Sequence, residues 1–252
     1  SALDLAKHIA VDQSLSASLL RLVNSAYFGF YRRISSVLDA VVLLGFVQVR
    51  DTLLAASAFK SLHSPDSLID RVQLWRHSIA SAMIADRISR IKRLKPQGTY
   101  YTAGLLHDIG KIVLDIASPR AYGEIVKTAR VNGKMVCAVE QETLGFTHAQ
   151  VGAALGEHWN LPADVVLSFG YHHNPENAPE EVSMLAHGIT LADYIAYRAG
   201  MGETSNGKVP DQPEFSLSFL GLTTEDCDRI AESVAETGDR VDAMLGVLSE
   251  QQ

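Results

Sequence analysis

Histidine and aspartate recur in five separated stretches of this chain, at positions where helical geometry would turn them inward. His77 shares a helical face with Ser81, Ile84 and Ile88, at offsets of four, seven and eleven residues. His148 repeats the pattern with Val151, Gly152, Leu155 and Trp159, and Gly152 leaves room for a close neighbour. The doublet His107-Asp108 sits in TAGLLHDIGKIVL, with Lys111 one turn after His107. A second doublet, His172-His173, closes a helix whose inner face carries Val165 and Phe169, before Pro175 forbids continuation. Asp193 lies in mid-helix between Ile189 and Tyr197, where an unpaired carboxylate is costly. Neutral imidazole and carboxylate are ligands for Fe, Mn, Ni or Zn, and do not identify the element. Taken singly, each histidine is most simply a hydrogen-bonded core residue; together, on five helices of a bundle, they form a candidate metal site. His8, His63 and His158 fall at lobe edges or on polar faces, and His187 is expected to stand apart from Asp193.

The elements that must position these residues read as helices throughout. Apolar residues recur at three-and-four spacing over stretches of ten to twenty residues, and alternating runs are scarce, so the fold class is all-α, a two-lobed helical bundle. The expected helices of the first lobe are 3–10, 14–28, 36–44 and 47–62, with Ser36 and Asp39 at capping-box spacing. His63-Ser64-Pro65-Asp66-Ser67 reads as a linker, giving a first lobe over 1–66 and a metal-binding lobe over 67–199. Helices of the second lobe are expected over 70–91, 99–117, 122–132, 136–144, 148–159, 163–172 and 180–199. Residues 200–252 form a third segment: a loop over 200–221, then a last helix from Thr223, whose imperfect apolar stripe packs on its own lobe or joins two copies as a homodimer.

Composition narrows the class of function. The 252 residues are 47% hydrophobic and 20% charged, enough to bury a core and unlike a disordered chain. The run Ala40 to Val47 is too short to span a bilayer, and a net charge of -7 argues against duplex nucleic acid as a partner. Cys137 and Cys227 have neither metal-type spacing nor disulfide density, which fits a reducing, cytoplasmic setting. The chain begins at Ser1 rather than Met, so further residues upstream are expected.

With HDIGK the sequence resembles the HD superfamily of metal-dependent phosphohydrolases, whose pattern of a His, a His-Asp doublet and a distal Asp is matched in order by His77, His107 with Asp108, and Asp193. His148 and His172-His173 resemble the second-metal histidines of the HD-GYP branch. The stretches IAVDQSLSASLLRLVNSAYFGF, LWRHS, AGLLHDIGKIVLD, GFTHAQVGAALGEHWNLP and YHHNP are similar to the HDOD family, over nearly everything before Gly200. That resemblance implies an HD-superfamily core and a bacterial signal-transduction output domain, acting on signalling proteins or upstream regulatory domains. It implies one metal on His77, His107, Asp108 and Asp193, and a second bridged by Asp108 to His148, His172 and His173, iron being one candidate element. It also implies an alternative, a phosphohydrolase or phosphodiesterase acting on a phosphorylated small molecule, with Asp108 and Lys111 as the catalytic pair and Lys111 on a phosphate oxygen. Gln73 stands where three-metal relatives carry Glu, and no DGxGYP motif follows His173, so neither a third metal nor cyclic di-GMP recognition is implied.

Overall fold

The computed structural model describes residues 2–11, 13–25, 28–61, 67–94, 98–202, 210–236, 238–239, 241–242 and 245. The chain folds into two units, Ser1–His63 with Thr237–Gln252, and Ser64–Glu236. Both are built from helices, and no strand occurs among the described residues. The linker expected at 63–67 falls mostly on residues outside that description.

In the first unit, α1 (Ala2–Val11) and α2 (Gln13–Val23) pack on each other and on α3 (Val37–Ser61). Ala6, Ile9, Leu19, Val23, Ala40, Val41 and Val49 form its core. The two helices expected over 36–62 are continuous except at Gly45, whose φ of 77° and ψ of 164° kink α3, a conformation that glycine adopts without a Cβ penalty. Helix α2 stops at Val23, short of the expected Phe28, because Asn24 turns outward. Its amide donates to Leu20 O and Ile34 O, and its Oδ1 accepts from Ile34 N, each at 2.7 Å. This fastens the end of α2 to the segment leading into α3.

The second unit is organised around α4 (Arg71–Ile91), whose start is capped by Asp70 accepting from Gln73 N. Against α4 lie α5 (Thr99–Leu106), α11 (Glu180–Arg198) and α13 (Thr224–Ala235). A second layer consists of α6 (Ile109–Ala117), α7 (Pro119–Asn132), α8 (Val136–Leu144), α9 (His148–His158) and α10 (Ala163–Tyr171), with α10 reaching both α5 and α11. Residues 200–252, expected as a separate third segment, divide between the units. Helix α12 (Glu214–Leu220) forms inside the stretch expected to be loop, because Ser216, Leu217 and Leu220 bury against α11.

Candidate metal centre

The helix expected over 99–117 is two helices, α5 and α6, and the break between them is the His107-Asp108 doublet. His107 keeps helical angles, but Asp108 has φ -98° and ψ 7°, so the chain changes direction there and both side chains point to the interior. Gly110 makes that turn workable. A Cβ placed on it would lie 1.9 Å from the His148 carbonyl oxygen, so α6 meets the first turn of α9 in backbone contact, closer than at Gly152, where a Cβ would find only ordinary contacts at 3.5 Å.

The seven residues expected from the sequence as metal ligands form one connected cluster in the second unit. His77 Nε2 lies 2.7 Å from Asp193 Oδ1, with Ser81 Oγ 3.2 Å from the same nitrogen. His107 Nε2 is 3.8 Å from Asp193 Oδ1 and 3.5 Å from Asp108 Oδ2. The other oxygen, Asp108 Oδ1, faces His148 Nε2 at 3.2 Å and His172 Nε2 at 3.8 Å, while His173 Nε2 is 2.9 Å from His148 Nε2. His77, His107, His148 and His172 are at most 1% exposed. Two sets of donor atoms, one from His77, His107 and Asp108 and one from Asp108, His148, His172 and His173, each lie within 4.8 Å of one another.

Ring orientation is fixed from behind. His107 Nδ1 donates to Gly104 O at 2.8 Å, His172 Nδ1 to Phe169 O at 2.6 Å, and His148 Nδ1 to Glu140 Oε2 at 2.7 Å. A carbonyl or a carboxylate accepts only, so each neutral ring carries its proton on Nδ1 and presents the Nε2 lone pair to the cluster. There the buried His107 Nε2, His172 Nε2 and Asp108 Oδ1 have no hydrogen-bond partner. Lone pairs gathered around a buried carboxylate fit a divalent cation.

Burial works against ionising Asp108, yet the Lys111 ammonium beside it holds its carboxyl well below the usual range. Asp193, also buried, is held below the usual range, its Oδ1 in hydrogen-bond contact with His77 Nε2. Burial pushes His172 down to about 3, so it offers a free lone pair. Lys111, one turn after His107, is 1% exposed and donates from Nζ to Asp108 Oδ2 at 2.7 Å. It is therefore an interior cation fixed on Asp108.

Above the cluster lies a cavity of about 320 Å³ with His172, His173 and Asp193 in its lining. Among the described residues its other charged lining groups are carboxylates, Glu176, Asp211 and Glu214. His187 stands apart, as expected: its Nδ1 is 2.9 Å from Ser216 Oγ and its ring stacks on Phe219. His8 and His158 are exposed, and His63 lies outside the described residues.

Sequence reasoning missed Glu140 and Thr190. Glu140 is fully buried on α8 beside Val136 and Val139, and that inward face was its only signal. Thr190 Oγ1 lies 2.7 Å from His172 O and fastens the end of α10 to α11.

Comparison with known proteins agrees with this architecture. The family model of the HDOD domain matches residues 1–175. An uncharacterized protein of Treponema pallidum is 30% identical over 225 residues, which cover 88% of this chain and 42% of that relative, so the chain spans less than half of the relative's length. An HDOD domain protein of unknown function from Geobacter sulfurreducens superposes with a TM-score of 0.79 at 25% identity, covering 100% of this chain and 87% of the other. A chain from Marinobacter aquaeolei, named for signal transduction, gives 0.80 at 26% identity, covering 98% and 55%. A chain from Shewanella amazonensis, named as a phosphohydrolase, shares the fold at 0.77 with 24% identity, covering 98% and 87%. No helix among the described residues is long and apolar enough to cross a membrane. With its family model matching most of its length and its helical fold shared with an HDOD structure throughout, this chain belongs to the HDOD domain family.

Proposed function

We propose that the protein is a bacterial, cytoplasmic signal-transduction output domain that keeps a metal centre of one or two divalent transition ions, iron among them, and acts through contacts with signalling proteins or upstream regulatory domains. In this reading His77, His107, Asp108 and Asp193 would hold one ion, and Asp108 with His148, His172 and His173 would hold a second. A bound ion would supply Lewis acidity at the cavity floor. The residues of the chain orient it, exclude water from behind, and join α4, α6, α9, α10 and α11 at one point.

One observation favours signalling over turnover of a phosphate ester. The lysine placed to hold a phosphate oxygen is committed to Asp108 Oδ2, and the described charged groups around the cavity are carboxylates. A phosphoryl group entering there meets like charge before it meets the metal ligands. The enzymatic alternative uses Asp108 and Lys111 as the catalytic pair and needs Lys111 to leave Asp108. The test is a screen of nucleotides, cyclic dinucleotides and phosphate esters with metal-loaded protein. Metal binding without turnover is expected. Robust turnover abolished by Asp108→Ala, with the fold retained, would establish the enzyme instead.

A further inference from the structure

Glu140 lies outside the seven ligands, yet its carboxylate is given over to one of them. It is fully buried on α8, and its Oε2 accepts twice from a single residue, from the His148 main-chain N–H at 2.8 Å and from His148 Nδ1 at 2.7 Å. Its other oxygen accepts from Tyr122 Oη on α7 at 2.8 Å. All three donors are interior, and they come from two separate helices flanking the one that carries Glu140.

We infer that Glu140, steadied by Tyr122, is the positioning residue of the metal centre: it fixes the start of α9 and the His148 ring together, so that His148 meets the ion through Nε2 and with a carboxylate behind it. The arrangement has a reason beyond cohesion. His107 and His172 are backed by neutral main-chain carbonyls, whereas His148 alone of these three is backed by a carboxylate. A carboxylate behind the ring raises the electron density at Nε2 and makes that imidazole the strongest of the three donors. The doubled contact on Oε2 also ties ring rotation to the backbone of residue 148, the same backbone that Gly110 admits to contact with α6. Glu140 thereby sets both where His148 Nε2 sits relative to Asp108 Oδ1 and how firmly it binds.

This inference rests on the metal-centre reading, and the experiment separates the two. Zn²⁺ is titrated into metal-stripped parent protein, Glu140→Gln and Glu142→Gln, the last being an exposed carboxylate of the same helix paired with Lys134. Glutamine can keep the hydrogen bonds, since its oxygen faces His148 and its amide faces a reoriented Tyr122 hydroxyl, so only the charge is removed. The expected result is a Kd for Zn²⁺ weakened by about ten- to a hundredfold in Glu140→Gln, with metal-free thermal stability close to the parent and no change in Glu142→Gln. The Nδ1 proton of His148 in the Zn²⁺-loaded protein should also move upfield in nuclear magnetic resonance spectra of Glu140→Gln. Unchanged affinity with an unmoved proton overturns the inference. Should Glu140→Gln fail to fold, the loaded parent still decides: nitrogen spectra must show His148 coordinated through Nε2 and protonated at Nδ1, and coordination through Nδ1 overturns it. If the parent binds no Zn²⁺, the metal-centre reading falls, and the inference with it.

Discussion

Asp108 Oδ1 and His148 Nε2 face each other across 3.2 Å, an ionised carboxylate oxygen and a nitrogen whose ring has already committed its Nδ1 proton to Glu140. Two acceptors at that distance repel unless a proton or a cation stands with them. An ion held there would add to the packing and to the His77–Asp193 and Thr190–His172 hydrogen bonds that already link these helices, so its removal should be felt in stability. A ligand that binds only the folded state adds roughly RT ln(1 + [M]/Kd), about 2.7 kcal/mol at a free concentration 100 times Kd.

Removing His148 should therefore cost far more than removing His158, the exposed histidine of the same helix. Thermal unfolding with metal present should show His148→Ala losing the metal-dependent increment, and His158→Ala staying within about 0.5 kcal/mol of the parent. Equal losses in the two variants, or equal effects of chelation on both, would remove His148 from the ligand set.

Gly110→Ala should destabilise the protein more than Gly152→Ala. The first substitution drives a methyl group to within 1.9 Å of the His148 carbonyl, and backbone cannot move aside as a flexible side chain does. Overpacking of this kind costs about 1–3 kcal/mol or more, and separating α6 from α9 also moves Asp108 away from His148. Chemical denaturation measures the difference; equal stability of the two variants contradicts the backbone contact.

Lys111→Met distinguishes an interior counter-charge from a phosphate-holding group. It leaves Asp108 buried without its cation, and breaking a buried pair from one side costs about 3–5 kcal/mol in the metal-free protein. Bound metal should offset part of that loss, since it supplies positive charge to the same carboxylate. A variant as stable as the parent without metal would show that the Lys111 to Asp108 bond contributes nothing.

Both cysteines should be unreactive in the folded state. Burial, with Glu140 adding to it, pushes the Cys137 thiol up to about 11, and burial with Asp226 and Asp228 does the same for Cys227. The nucleophile is the thiolate, so alkylation by iodoacetamide at pH 8 should run roughly two orders of magnitude slower than for an ordinary thiol, and should accelerate as pH rises. Mass spectrometry of the native protein reads this, and modification at the rate of a free cysteine would contradict it.

Much of this architecture was legible because helical periodicity is a local signal. His77, His148 and Asp193 could be placed on inward faces from their neighbours alone. Three features were not legible. The chain break at His107-Asp108 lies within an unbroken apolar pattern, because the turn is held by the fit of Gly110 against another helix. Helix α12 forms in a stretch rich in turn residues because α11 offers it a surface. Glu140 shares an inward face with Val136 and Val139, but its role emerges only when α7 and α9 bring Tyr122 and His148 to it. Each depends on a partner distant in sequence, which spacing along one segment does not encode.

Whether the lone pairs around Asp108 hold a divalent metal is decided by elemental analysis of untagged protein, purified gently and exhaustively dialysed. One to two equivalents of a transition metal per chain are expected, lost from a variant lacking Asp108 that remains folded. Substoichiometric metal in the parent, or the same content in the Asp108 variant, would contradict it and leave a histidine-rich core in place of a metal centre.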